Sequence, residues 1–176
     1  LRKTNLTEDT FKLEIMRSPE SKPHPNERIQ FQSLLGGSLG QVLNKPSGPI
    51  TPADLNGLGG LDVSGASISE INGLQNARNL RSLKLTNNHI SDLRPLQGLV
   101  KLNKLVLNNN KIESVRPLAK LVNLTELYLN NNSIHNIEPL LNLQNLTELE
   151  LRNNRIPENL RQLLRRELPN CEIRFN

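Results

Sequence analysis

Aliphatic residues recur along this chain at a constant interval of 22 residues, and a lattice that regular leaves few folds open. Segments beginning at Leu58, Leu80, Leu102, Leu124 and Leu146 align without a gap. A second column holds Leu61, Leu83, Leu105, Leu127 and Leu149, and a third holds Val63, Leu85, Leu107, Leu129 and Leu151. Asn88, Asn110, Asn132 and Asn154 share a column with Ala66, followed by Ile68, Ile90, Ile112, Ile134 and Ile156. Ile71, Leu93, Val115 and Ile137 align further on, as do Leu74, Leu96, Leu118 and Leu140. A unit this short cannot bury its apolar face alone, so the copies must stack into a solenoid with one continuous core.

Each column has a physical task. The last two aliphatics of Leu-x-x-Leu-x-Leu are two residues apart, the strand period, so both face inward, and stacked copies form a parallel sheet. The asparagines stand where the chain leaves the strand and turns. A turn inside a dry core strands main-chain groups, each costing about 1–3 kcal/mol if unpaired. An asparagine amide offers donors and an acceptor, so the column predicts a ladder between coils. Pro95, Pro117 and Pro139, each followed by leucine, suit the first turn of a short helical or 3₁₀ segment on the back of each coil. That segment carries Leu96/Leu99, Leu118/Leu121 and Leu140/Leu143 inward.

An open solenoid needs covers at its ends. Phe31, Leu34, Leu35, Leu39, Val42 and Leu43 follow helical spacing, and Thr51-Pro52-Ala53-Asp54-Leu55 reads as a helix start, so residues 31–57 are expected to form a helical front cap. Residues 58–156 hold the repeats. At the other end, over residues 157–176, Pro157 opens a helix bearing Leu160, Leu163, Leu164 and Leu168. Pro169 stops that helix, and Cys171, Ile173 and Phe175 alternate as a last strand. Residues 1–30 lack the repeat, and their Ser18–Asn26 stretch is polar and proline-rich, which predicts a mobile tether. Phe11, Leu13 and Ile15 alternate and offer a further strand instead. The start, Leu1-Arg2-Lys3-Thr4, reads as a mature or trimmed terminus.

Composition narrows the function. Aromatic residues make up 2% of the chain, so the core must be aliphatic. No apolar run approaches the ~18 residues that cross a bilayer. The single cysteine, Cys171, excludes an internal disulfide or a cysteine metal cluster, leaves the redox compartment open, and reads as a small buried hydrophobe. The net charge of +5 raises nucleic acid as a partner. The excess gathers at the ends, however, and no aromatics interleave with it to stack bases, which argues against that partner. His24, His89 and His135 have no carboxylate or nucleophile at a converging spacing, and no phosphate-cradling glycine loop or metal spacing occurs. A non-catalytic protein without a cofactor is expected. The sequons at Asn5, Asn123, Asn131 and Asn145 are what an asparagine-rich repeat produces by accident, and no glycan is assigned to them.

These motifs resemble the leucine-rich repeat family, in the 22-residue class shared by bacterial internalins and protein-phosphatase regulatory subunits. The internalin-like template, Leu-x-x-Leu-x-Leu-x-x-Asn-x-Ile-x-x-Leu-x-Pro-Leu, is followed from Leu102 to Leu118 with Val115 replacing one leucine. Phe31 through Leu55 is similar to the helical front cap of secreted bacterial repeat proteins, and Leu168–Ile173 to a common bacterial terminus. The resemblance spans about residues 31–176, in an array of only five copies without an adjoining immunoglobulin-like or wall-anchoring segment. It implies an α/β fold: a right-handed solenoid with short parallel strands on the concave face, short helical or 3₁₀ turns on the convex face, and helical caps at both ends. It also implies a bacterial protein at the cell surface or outside the cell.

Binding would fall on the residues between the inward leucines. Asp62, Lys84, Val106, Tyr128 and Glu150 stand at the strand centre, flanked by Gly60, Ser82, Lys104, Glu126, Glu148 and by Ser64, Thr86, Asn108, Asn130, Arg152. Tyrosine and arginine are the usual anchors of interfaces. The candidate partner-binding set is therefore Lys84, Lys104, Val106, Glu126, Tyr128, Glu148, Glu150 and Arg152, and the expected partner is another protein. The competing expectations are ordinary solvated sheet positions with the contact made elsewhere, or a self-associating structural part that uses the edge at Cys171–Phe175. A monomer is expected in preference to an oligomer.

Overall fold

A computed structural model describes residues 52–176 of the chain. The expected tether over residues 1–30 and the front-cap helix up to Thr51 lie outside the described residues. The first described element is the short helix α1, Pro52–Asn56, at the place where Thr51-Pro52 was read as a helix start.

Six strands follow: β1 Gly60–Asp62, β2 Ser82–Lys84, β3 Lys104–Val106, β4 Glu126–Tyr128, β5 Glu148–Glu150 and β6 Glu172–Arg174. They form one open parallel sheet in sequence order. Each strand from β1 to β5 is three residues long and centres on one inward leucine, with the next inward aliphatic just beyond it. That second residue stays in the ladder: Leu85 N–H donates to Val106 O at 2.8 Å, and Leu107 N–H to Tyr128 O at 2.8 Å.

Behind the strands run 3₁₀ turns at Leu74–Asn76, Arg94–Leu96, Arg116–Lys120 and Glu138–Asn142. Pro95, Pro117 and Pro139 occupy the second residue of theirs, where a missing N–H costs nothing. The first coil has Gly73 at that point, with φ of 103°, a left-handed conformation proline cannot adopt. Strands pack on strands and turns on turns, so each coil touches only its neighbours, and the chain is a solenoid. Between the two stacks every lattice aliphatic is buried, from Leu55 to Ile156. Each such leucine contributes about 1.5–3 kcal/mol of burial, which is how 35% hydrophobic residues suffice for a core.

The far end is closed by α2, Glu158–Glu167, which packs on the last 3₁₀ turn and buries Leu164 and Leu168. Phe175 is buried beneath the guanidinium groups of Arg161 and Arg165, whose carbons lie 5.3 and 5.0 Å from its ring centre. Cys171 is half-buried against the core rather than enclosed in it. Its surroundings push the thiol pKa up to about 11, chiefly by burial and then by the charges of Glu148 and Glu172.

Candidate protein-binding face

The asparagine ladder sets the register on which the outer face is displayed. Asn132 accepts from Ile112 N–H at 3.0 Å and donates to Leu107 O and Leu129 O, both at 3.0 Å, so one amide ties its own coil to the preceding one. Asn88, Asn110 and Asn154 repeat the pattern. A second ladder, not read from the sequence, lies one residue earlier. Asn87, Asn109, Asn131 and Asn153 all have φ between 54° and 57°, and their amides bond to one another at 2.5–2.6 Å. Gly65, with φ of 70°, begins that column. Asparagine and glycine are the residues that tolerate this left-handed turn.

With the strands locked in register, the outward side chains form two rows. Lys84, Val106, Tyr128, Glu150 and Arg174 make one, and Ser82, Lys104, Glu126, Glu148 and Glu172 the other. All eight candidate residues fall on this face: seven on strands β2 to β5, and Arg152 just beyond β5. Lys84 is exposed and pairs with Asp62 at 3.3 Å. Val106 is half-buried between Lys84 and Tyr128 in the same row.

Tyr128 stands outside the core at the centre of a network. Its hydroxyl lies 2.5 Å from Glu148 Oε2 and 2.9 Å from Glu126 Oε2, so its one proton is shared between two acceptors, with Glu148 the nearer. Lys104 pairs with Glu126, and its Nζ lies 5.3 Å from the tyrosine ring centre. Burial, together with the two carboxylates, raises the phenol well above the usual tyrosine range. The ring therefore stays a neutral donor with an apolar body, suited to recognition rather than to nucleophilic chemistry. The ammonium of Lys104 keeps Glu126 below its ordinary range.

Arg174 was missing from the sequence-derived set. It reaches Glu148 at 2.9 Å, Glu150 at 2.7 Å and Glu172 at 2.7 Å. Burial disfavours the Glu150 carboxylate, but hydrogen bonds from Arg174 and Asn130 outweigh that and lower its pKa. Arg152 donates through Nε to Asn176 O at 2.8 Å and remains exposed. The acids of this face are thus held by neighbours, and the arginine that holds most of them comes from the terminal strand. His89 and His135 are exposed and stand apart from this network, and no group of three or more histidine, cysteine or acidic side chains gathers in metal-ligating fashion among the described residues.

The fold and the repeat have known counterparts. The model for leucine-rich repeats in two copies matches residues 78–120 and 122–165. The chain belongs to the leucine-rich repeat family. Among solved structures it is similar to an internalin of Listeria monocytogenes, inlF, with 27% identity and a TM-score of 0.59, covering 79% of this chain and 54% of that one. The functional domain of InlJ from the same organism gives 26% identity and a TM-score of 0.57 over 61% of this chain and 23% of that one. That domain includes a cysteine ladder, whereas the ladders here are of asparagine. A leucine-rich repeat protein of Leptospira interrogans gives 26% identity and a TM-score of 0.54, over 69% of this chain and 38% of that one. The chain thus spans about half the length of the first of these relatives and less of the others. No curated protein sequence matches it. The repeats and their relatives support a protein-interaction module in general, and no helix among the described residues is long and apolar enough to cross a membrane.

Proposed function

We propose that the chain binds a partner protein through its strand face, on a patch centred on Tyr128 with Val106, Lys84, Lys104, Glu126, Glu148, Glu150 and Arg152. The observation that carries this reading is the state of Tyr128, the single tyrosine of the chain, held outward by two carboxylates with a lysine over its ring. A large amphipathic side chain fixed before the encounter loses little entropy on binding. Val106 extends its apolar surface, and the engaged acids and bases supply a polar rim. Likeness to internalins supports a bacterial protein that acts at the cell surface or after secretion.

Site-specific photocross-linking tests the face. A benzophenone side chain replacing Val106 or Glu150 should capture a partner protein, and the same group at Ala119 on the 3₁₀ side should not. Capture from Ala119 alone would move the contact to the other side. Capture of a second copy of the chain would favour self-association at the β6 edge.

A further inference from the structure

We infer that the flank where each coil enters its strand is a second docking surface, fitted to an acidic segment of a partner protein that carries an aliphatic side chain. Two observations meet there. Val100 and Val122 are the large hydrophobic side chains left exposed among the described residues, at 47% and 46%, and they stand one coil apart at the same lattice position. A pair of adjacent exposed aliphatics is an apolar foothold rather than scatter.

The second observation is charge. Residues 74–81, 96–103, 118–125 and 140–147 are the equivalent segments of four consecutive coils, and they contain no acid. They do contain Arg78, Arg81, Lys101 and Lys120, all exposed, none in an ion pair with an acid among the described residues. The opposite flank differs, mixing the acids Glu70, Asp92, Glu113 and Glu138 with Arg94, Lys111 and Arg116.

The surface is also rigid. Asn123 donates to Val100 O at 2.7 Å and Asn145 to Val122 O at 2.8 Å, so each valine backbone is pinned by the next coil. Lys101 reaches back to Asn79 Oδ1 at 2.7 Å, which sets its ammonium against the coil bearing Arg78 and Arg81. Carboxylates of an incoming chain can meet those three cations while an aliphatic side chain covers the valines. Nucleic acid fits poorly, because no ring stands there to stack a base. A lipid surface fits poorly too, because two valines without an aromatic give little to insert.

Selection from a random dodecapeptide display library against the full chain tests this. Enriched peptides should be net acidic and contain Val, Ile or Leu. Their affinity should fall about tenfold in Val100→Ser/Val122→Ser and in Arg81→Glu/Lys101→Glu, and stay unchanged in Tyr128→Ala. These side chains are exposed, so unaltered circular dichroism should accompany each variant. Four results would overturn the inference: enriched peptides without acidic bias, affinity that depends on Tyr128 but not on the flank, no enrichment at all, or flank-dependent binding of phosphatidylserine vesicles in place of peptides.

Discussion

Replacing Asn132 by alanine should destabilise the chain by about 2–4 kcal/mol, well beyond the ordinary surface substitution. The figure follows from what each bond leaves behind. Ile112 N–H is buried and bonds to Asn132 Oδ1, so the substitution orphans it at a cost of about 1–3 kcal/mol. Leu107 O and Leu129 O keep one donor each, from Asn110 and Asn154, so they lose only a second bond. The neighbouring Asn109 supplies the control. Its amide is exposed, and alanine there costs chiefly the left-handed backbone at φ of 57°, about 1–2 kcal/mol. Asn109→Gly should cost close to nothing, since glycine adopts that conformation freely. Urea unfolding followed by circular dichroism, with the slope compared among variants, measures all three. The ladder argument fails if Asn132→Ala lies within about 0.5 kcal/mol of the unaltered chain, or if Asn109→Gly is as damaging as Asn132→Ala.

Other outcomes follow from the same structure. The chain has one tyrosine and no tryptophan, so phenolate absorbance reports Tyr128 alone; it should not ionise at the ordinary value of about 10, and a midpoint there would mean that Glu126 and Glu148 do not hold it. Folding lowers the pKa of Glu126, Glu150 and Asp62, so their stabilisation is present above the unfolded values near 4 and lost as pH falls through the folded ones. Tm should hold steady from about pH 7 to pH 5 and decline below, and a Tm that rises toward pH 3 would contradict the pairings. With its pKa pushed up to about 11, Cys171 should react with iodoacetamide at neutral pH roughly a hundredfold more slowly than a free cysteine, and equal rates would show it unshielded.

The inward half of the molecule was legible because burial imposes a period. Leu105, Leu107 and Ile112 repeat at fixed offsets, and an alternation of two cannot be mistaken for a helix when it recurs every coil. Asn132 was legible for a related reason, since a buried turn demands a donor and an acceptor. The outward half obeys no period, and it was read less completely. Tyr128 could be placed, but its bonds to Glu126 and Glu148 depend on rotamers that spacing does not fix. Arg174 escaped because the terminal helix lengthens the last interval: Glu150 aligns with Arg174, 24 residues on, rather than with residue 172. Counting back from the alternating Cys171, Ile173 and Phe175 would have found it. The outer ladder at Asn109 escaped because its role lies in a backbone angle, and only the repeated Asn-Asn pairs, where the first coil has Gly65-Ala66, hint at it.

The strand face is tested most directly by the affinity of a cross-linked partner, once isolated, for the chain and for Tyr128→Ala. A weakening of about tenfold or more at unchanged Tm is the expected result, because the ring carries an anchor's share of the contact while the core beneath it is untouched. An unchanged Kd in a folded Tyr128→Ala would show that the partner sits elsewhere.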